Sequence, residues 1–191
     1  MKRIFLLSTI FFFALSLFAK SVTPASSLPT YYQDIDGKAG KALFDAVQKV
    51  TKLGYSSLGY DGLWGAYKKT DMRDNGKIWD MYSDCSWTVG SDQCGSYNNE
   101  CDCYNREHSI PQSWFNEGSP MKSDIVHVVP TDGYVNNRRS NYPFGETNSP
   151  TYQSNNGYSK LGPCSTTGYS GTVFEPNDEY KGDFARIYFY M

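Results

Sequence analysis

The sequence predicts an α+β fold, and three features carry that reading. Apolar residues recur at helical spacing over residues 38–53, 60–69 and 175–191. One short run, Asp124-Ile125-Val126-His127-Val128-Val129, is dense in β-branched residues and is closed by Pro130, as suits a buried strand. The rest is polar, aromatic or rich in Gly, Ser, Asn and Pro, which suits loops. A chain of 191 residues is sized for one domain. Its 16 Tyr and 11 Phe can fill a core, and a charged fraction of only 20% argues against disorder. The formal net charge of −2 excludes a protein that holds nucleic acid by bulk positive charge, though not one with a local basic patch.

In chain order, Lys2 and Arg3 precede an almost unbroken apolar run from Ile4 to Phe18, with the small Ala19 after it. That is the layout of a signal peptide over residues 1–19, since the run falls short of the roughly 20 residues a spanning helix needs. Residues 20–191 then form the mature domain, secreted or periplasmic and free of membrane. Residues 20–38 read as a strap. In the first helix Ala42, Leu43, Ala46, Val47, Val50 and Leu53 share a face, and Gly54 is a stop signal. The second helix offers Leu63, Trp64 and Tyr67 as inward residues. Residues 71–103 read as loops and short strands. Ser109-Ile110-Pro111 ends a strand, Thr131 and Asp132 offer a helix cap, and residues 134–139 follow as a short helix. Residues 140–172 read mostly as loop. Tyr180, Phe184, Ile187, Tyr188 and Met191 mark a last helix with no terminal cap.

Export implies an oxidising compartment. Cys85, Cys94, Cys101 and Cys103 lie close enough in sequence for short-range disulfides, and the fifth cysteine, Cys164, makes the number odd. A structural zinc site is disfavoured, because there is no Cys-x-x-Cys pair and only 2 histidines are present.

Those histidines, His108 and His127, lie in the segments that carry chemistry. His108 directly follows Arg106 and Glu107. Adjacent side chains on a regular strand face opposite ways, but at a strand end both can converge on one site. An imidazole can take a proton from water near neutral pH, and a carboxylate is a natural Mg²⁺ ligand. Asn136 would lie about one turn into the helix after the second strand, with an amide oxygen facing back toward Glu107 and His108. A strand with a histidine, a returning strand and a helix with an oxygen ligand make a ββα unit holding one metal beside one base. Arg138 and Arg139 add positive charge suited to phosphate.

Asn105-Arg106-Glu107-His108 followed by Pro111-Gln112-Ser113-Trp114-Phe115 resembles the endonuclease I family, exported bacterial nucleases of the His-Me finger (ββα-metal) class. Ser123-Asp124 through Val135-Asn136 to Arg139-Ser140-Asn141-Tyr142-Pro143-Phe144-Gly145 is a second match. Phe174-Glu175-Pro176, Asp178-Glu179-Tyr180-Lys181-Gly182-Asp183 and Ala185-Arg186 form a third, and residues 31–71 resemble the family's amino-terminal region. The resemblance implies a His-Me finger core with surrounding helices and long disulfide-bearing loops. It implies His108 as the general base, with Glu107 and Asn136 as ligands of one Mg²⁺ or other divalent cation. It also implies that the last helix runs on past Met191. Arg106 and Arg139 are the foremost candidates for phosphate contact, with Arg138 and Arg186 behind them. His127 stands where the family has His or Asn and supports the metal site, while Val126 replaces a histidine often seen just before it.

The implied reaction is hydrolysis of phosphodiesters by a monomeric endonuclease, DNA first and RNA second, with activity falling in acid as His108 is protonated. No groove-reading module is recognisable, so little sequence preference is expected, and binding should weaken with salt. Three rivals remain. A cysteine hydrolase would use Cys103 and His108. A non-enzymatic secreted protein would bind nucleic acid or polysaccharide through its many aromatics. A degenerate nuclease would bind without cutting.

Overall fold

A computed structural model describes residues 30–191. The signal peptide expected over residues 1–19 lies outside the described residues. Among the described residues no helix is long and apolar enough to cross a membrane. The chain divides into two compact units, one running to Val50 and the other from Thr51 to Met191.

In the first unit a 3₁₀ turn, Thr30–Ile35, precedes helix α1, Gly40–Thr51. Leu43, Ala46 and Val47 are half-buried and Val50 is buried, so the less exposed stripe follows the helical repeat. The Tyr31 hydroxyl donates to the Val50 carbonyl at 2.7 Å and ties the turn to the helix end. Ala42 is exposed despite its spacing, and Leu53 falls beyond the last turn. Gly54, at φ +73°, takes the left-handed conformation that ends the run at no steric cost.

The second unit is built on a strand pair between two hydrophobic clusters. Strand β1, Tyr104–His108, pairs antiparallel with β2, Val128–Asp132, in a register that sets Tyr104 opposite Asp132 and His108 opposite Val128. All five residues of β2 are buried. Successive side chains on a strand point to opposite faces. Val128 therefore joins Tyr104, Ile78, Trp87 and the buried Leu63 and Tyr67 of helix α2, Gly59–Thr70. Val129 joins Met81, Tyr82, Val135, Phe174 and the buried Tyr180 and Phe184 of helix α4, Asp178–Tyr190. The Tyr67 hydroxyl spends its polarity on the Val128 carbonyl, at 3.0 Å. Asn177 starts α4 by accepting from the Glu179 N–H at 3.0 Å.

The position of β2 corrects the expected strand over residues 124–129. Asp124 opens a turn instead. Its carboxylate accepts the Val126 N–H at 3.0 Å, and its carbonyl accepts from His127 and Val128 at 3.2 and 3.0 Å. An Asx turn of this kind outcompetes the β-branched run. Pro130, expected to close the strand, lies inside it, opposite Arg106. The ladder bonds of Gly133 N–H to the Cys103 carbonyl and Ser109 N–H to the His127 carbonyl fix which pairs exchange hydrogen bonds. Pro130 falls on the alternate pair, where an N–H would point out of the ladder, so the missing donor costs nothing there.

Helix α3, Gly133–Arg139, follows β2 without a loop, and Asp132 caps it by accepting the Val135 N–H at 2.8 Å, as its residue type predicts. Residues 140–172 are mostly loop, as expected, but three short antiparallel strands lie in or at the end of this stretch. They are β3, Tyr152–Gln153, β4, Lys160–Pro163, and β5, Thr172–Glu175, hydrogen-bonded in the order β3-β4-β5. Only β5 carries much apolar content, and β4 contains Gly162 and Pro163, so no alternation marks this sheet in the sequence.

The segment between α2 and β1 is pinned by one carboxylate and two disulfides. Asp80 is fully buried. Its Oδ1 accepts from the Tyr82 and Ser83 N–H groups at 2.8 and 3.0 Å. Its Oδ2 accepts from Ser83 Oγ, Trp87 Nε1 and the Asp132 N–H at 2.7, 2.9 and 2.7 Å. Burial pushes this carboxyl up to about 6, against the pull of its Ser83, Trp87 and Tyr82 donors. Cys85 is bonded to Cys101 and Cys94 to Cys103, leaving Cys164 free. Cys103 thus offers no thiol, which removes the physical basis of a Cys103–His108 hydrolase.

Reducing both disulfides is expected to lower unfolding stability by at least ~3 kcal/mol, the loop-closure term for a bridge of the length that Cys85–Cys101 spans. Urea unfolding with and without a thiol reductant checks this; coincident midpoints would contradict it.

Candidate active site

The residues singled out in the sequence come together at β1 and α3. Asn105 and Glu107 leave β1 on the side of α3, and Arg106 and His108 leave it on the side of α2, as strand alternation requires. Both pairs nevertheless border one polar cleft of about 450 Å³, together with Tyr60 and Asn136. They can do so because His108 ends the strand and β1 has β2 on only one edge.

His108 is 4% exposed, and its Nε2 lies 3.0 Å from the Lys122 carbonyl oxygen. A carbonyl only accepts, so Nε2 carries the proton and donates. In the neutral ring the lone pair is then on Nδ1. Burial pushes the imidazole down to about 4, with the nearby charges of His127, Lys122 and Arg106 adding to it and the Lys122 carbonyl opposing. The ring is held among Tyr60, stacked at 5.6 Å, the edge of His127 at 5.5 Å and the tilted ring of Phe115 at 6.0 Å.

His127 is fully buried, and its Nε2 donates to the Met121 carbonyl at 2.6 Å. The two imidazoles thus hold successive carbonyls, Met121 and Lys122, of one 3₁₀ turn, Met121–Ser123. Nδ1 of His127 makes no hydrogen bond among the described residues. His127 is therefore packed against His108 and does not line the cleft with Asn136.

Glu107 is 4% exposed and is held by two donors on the same oxygen. The Tyr82 hydroxyl donates to Oε1 at 2.8 Å, and Arg139 Nη1 donates to Oε1 as well. Burial raises the Glu107 pKa, and the Arg139 charge pulls it back. Asn136 donates through Nδ2 to Asn105 Oδ1 at 2.7 Å, which turns its amide so that the carbonyl oxygen is left for another partner. The second carboxylate oxygen of Glu107 and Oδ1 of Asn136 are therefore the oxygens that could hold a cation. Two hard oxygens in a polar, water-accessible cleft fit a small divalent cation that keeps most of its waters. Thiolates, which would favour zinc, are all outside the cleft lining.

The arginines stand differently from the sequence expectation. Arg139 is fully buried and forms four hydrogen bonds. Nε donates to the Tyr142 carbonyl, Nη1 to Glu107 and the His108 carbonyl, and Nη2 to the Ser109 carbonyl. A guanidinium so engaged fixes Glu107 and the turn after β1; its donors are spent on the protein and not on a phosphate. Arg106 borders the cleft, but its guanidinium lies 3.6 Å from the Tyr60 ring centroid and 4.5 Å from that of Trp64. It donates to the Tyr60 carbonyl at 2.7 Å and to Asp61 at 3.0 Å, so its charge is already shared with helix α2.

Tyr82, Tyr60 and the Lys122 carbonyl belong to the site and were not singled out in the sequence. Tyr82 and Tyr60 lie on segments of no chemical pattern, and a backbone carbonyl leaves no mark in a residue string.

The chain is 34% identical over 175 residues to an extracellular ribonuclease of Bacillus amyloliquefaciens, covering 89% of this chain and 55% of that protein. It is 29% identical over 179 residues to an extracellular ribonuclease of Bacillus subtilis strain 168, covering 91% and 56%. The chain thus spans about half the length of these relatives. No solved structure gives a significant match. The family model for endonuclease I matches residues 38–191, which takes in α1, both strands of the cleft and α4, and the chain belongs to the endonuclease I family.

Proposed function

We propose that the chain is an exported, metal-dependent nuclease of the His-Me finger class that hydrolyses phosphodiesters in DNA and RNA with little regard to sequence. The observation that supports this most is the meeting of His108, Glu107 and Asn136, from two distant stretches, around one polar cleft. Family membership adds to it, and so do the names of the two relatives. Those names set RNA beside the DNA expected from the sequence, and they favour export.

The residues divide the work by chemistry. A water beside Nδ1 of His108 gives its proton to that nitrogen as it attacks phosphorus. The bond from Nε2–H to the Lys122 carbonyl keeps the ring in place and eases the positive charge it gains. Glu107 and Asn136 hold the cation, Mg²⁺ in the first instance. When bound, that ion supplies charge neutralisation at the phosphate and at the leaving oxygen. Arg139 opposes the upward push of burial on Glu107 and fixes its direction. None of these groups presents an edge pattern that matches a base, so the cleft reads phosphates and not sequence. All come from one chain, which suits a monomer.

Three outcomes are expected. His108→Ala should lower cleavage of plasmid DNA and of ribosomal RNA by about 10²- to 10⁴-fold with the fold intact by circular dichroism; near-normal rates would remove His108 as the base. Wild-type protein should lose activity in EDTA and regain it with Mg²⁺, and Asn136→Ala should shift the Mg²⁺ titration to higher concentration. A titration identical to wild type would contradict the ligand set. Arg139→Ala should cost roughly 3–5 kcal/mol in urea unfolding, because it leaves the Glu107 carboxylate buried and unpaired. A loss under 1 kcal/mol would mean that Arg139 does not hold that carboxylate.

A further inference from the structure

An unpaired guanidinium is a strong phosphate ligand, and both arginines that border the cleft are already paired. Four arginines were candidates. Arg106 pairs with Asp61 at 3.0 Å, Arg139 with Glu107, and Arg186 with Asp183. Arg138 forms no ion pair among the described residues, and it is exposed. Its guanidinium lies 4.8 Å from the Tyr134 ring centroid and 5.5 Å from that of Tyr152, and it donates to the Tyr134 hydroxyl. A cation resting on two rings is pre-oriented without being neutralised.

Arg138 forms one wall of a pocket of about 290 Å³, lined also by Tyr97, Asn98, Tyr134 and Asn137. This pocket is distinct from the cleft. Each residue turns an α-helix by about 100°. On α3, Val135 and Arg139 are therefore turned toward the buried side, Asn136 borders the cleft, and Tyr134, Asn137 and Arg138 occupy the remaining arc.

The pocket's far wall is a built feature. Tyr97 lies in the loop that the Cys94–Cys103 disulfide closes. Its ring rests on Gly133, where an added Cβ would come within 2.9 Å of Tyr97 Cδ1 and 2.6 Å of Cys94 Sγ. Asn137 Nδ2 donates to the Tyr97 hydroxyl at 3.2 Å. That leaves the amide oxygen of Asn137 and the hydroxyl proton of Tyr97 for a ligand. The acids nearby are occupied: Asp102 accepts the Asn98 and Asn99 N–H groups, each at 2.8 Å, and Glu100 accepts from the Asn155 N–H and the Tyr152 hydroxyl.

An unpaired guanidinium, aromatic faces, and one amide and one hydroxyl edge are what a nucleotide of a single strand requires. We propose that the Tyr97–Tyr134–Asn137–Arg138 pocket is a second nucleotide subsite. It takes a phosphate and base of the same single strand that the cleft cuts, and so it rests on the nuclease reading. The strand must pass round the outside of α3, about 10–12 Å across with its side chains, so only an oligonucleotide can reach both sites.

The test uses whole protein and two probes. Binding is measured with a fluorescent oligothymidylate of about twelve nucleotides in EDTA, at several salt concentrations. Chemistry is measured with bis(p-nitrophenyl) phosphate in Mg²⁺, which is too small to leave the cleft. Arg138→Ala should weaken oligothymidylate about tenfold and reduce the salt slope by about 0.7, the value for one lost contact to a single strand. Hydrolysis of the small diester should stay at the wild-type rate. Arg138→Lys should restore the slope but only part of the affinity, since an ammonium keeps the charge and loses the flat stacking face. Wild-type affinity and slope in Arg138→Ala would overturn the subsite while leaving the nuclease reading standing. Failure of the wild-type protein to hydrolyse either the small diester or nucleic acid in Mg²⁺ would overturn that reading itself, and the subsite with it.

Discussion

The second unit depends on a single buried guanidinium. Arg139 ends α3, and its bonds run to Glu107 and to the carbonyls of His108, Ser109 and Tyr142. It therefore joins the helix, the end of β1 and the chain beyond α3 at one planar group. A charge with no exposure is costly unless every donor is met, and here the partners are one carboxylate and three carbonyls. The same bonds that satisfy Arg139 orient Glu107, so the requirement for stability and the direction of a carboxylate at the cleft coincide. A lysine cannot reach four acceptors in one plane, which explains why the residue type matters more than its charge.

Around that point the two clusters act as clamps. Val128 and Val129 belong to opposite clusters, so β2 cannot slide by one residue without moving both. Asp80 performs the complementary task from the loop side. It draws the Asp132 N–H and the Trp87 indole to one carboxylate, and so fixes where α3 begins relative to the segment between α2 and β1. The His108 ring is positioned less by its own strand than by the turn facing it. The carbonyls of Met121 and Lys122 select the protonated nitrogen of each imidazole.

Much of this was legible in the string of residues. The three main helices show their apolar spacing, and Asp132 before Gly133 marks a cap in any context. Glu107 beside His108, with Asn136 one turn into the next helix, reads as a site mainly through the resemblance of these segments to the endonuclease I family. Other features were not legible, for reasons of physics. Pro130 reads as a terminator until the partner strand shows that its missing N–H falls outside the ladder. The Asx turn at Asp124 and the strand propensity of Ile125 and Val126 compete, and only the packing decides between them. The β3-β4-β5 sheet uses strands too short to repeat a pattern. Arg139 and Arg138 are adjacent and identical in type, yet one is buried and spent and the other exposed and unpaired. A rotation of about 100° separates these two environments, and no local signal reports it.

That rotation has a consequence for how such a protein can change. Helix α3 has seven residues and three directions, toward the interior, the cleft and the outer pocket. Deleting a single position within it would turn every later side chain onto its predecessor's bearing, driving an asparagine inward and an arginine outward together, and an insertion would turn them the opposite way. Drift at this place is therefore confined to exchanging one side chain for another at constant length. Gains and losses of residues belong to the surrounding loops, where no angular phase is kept.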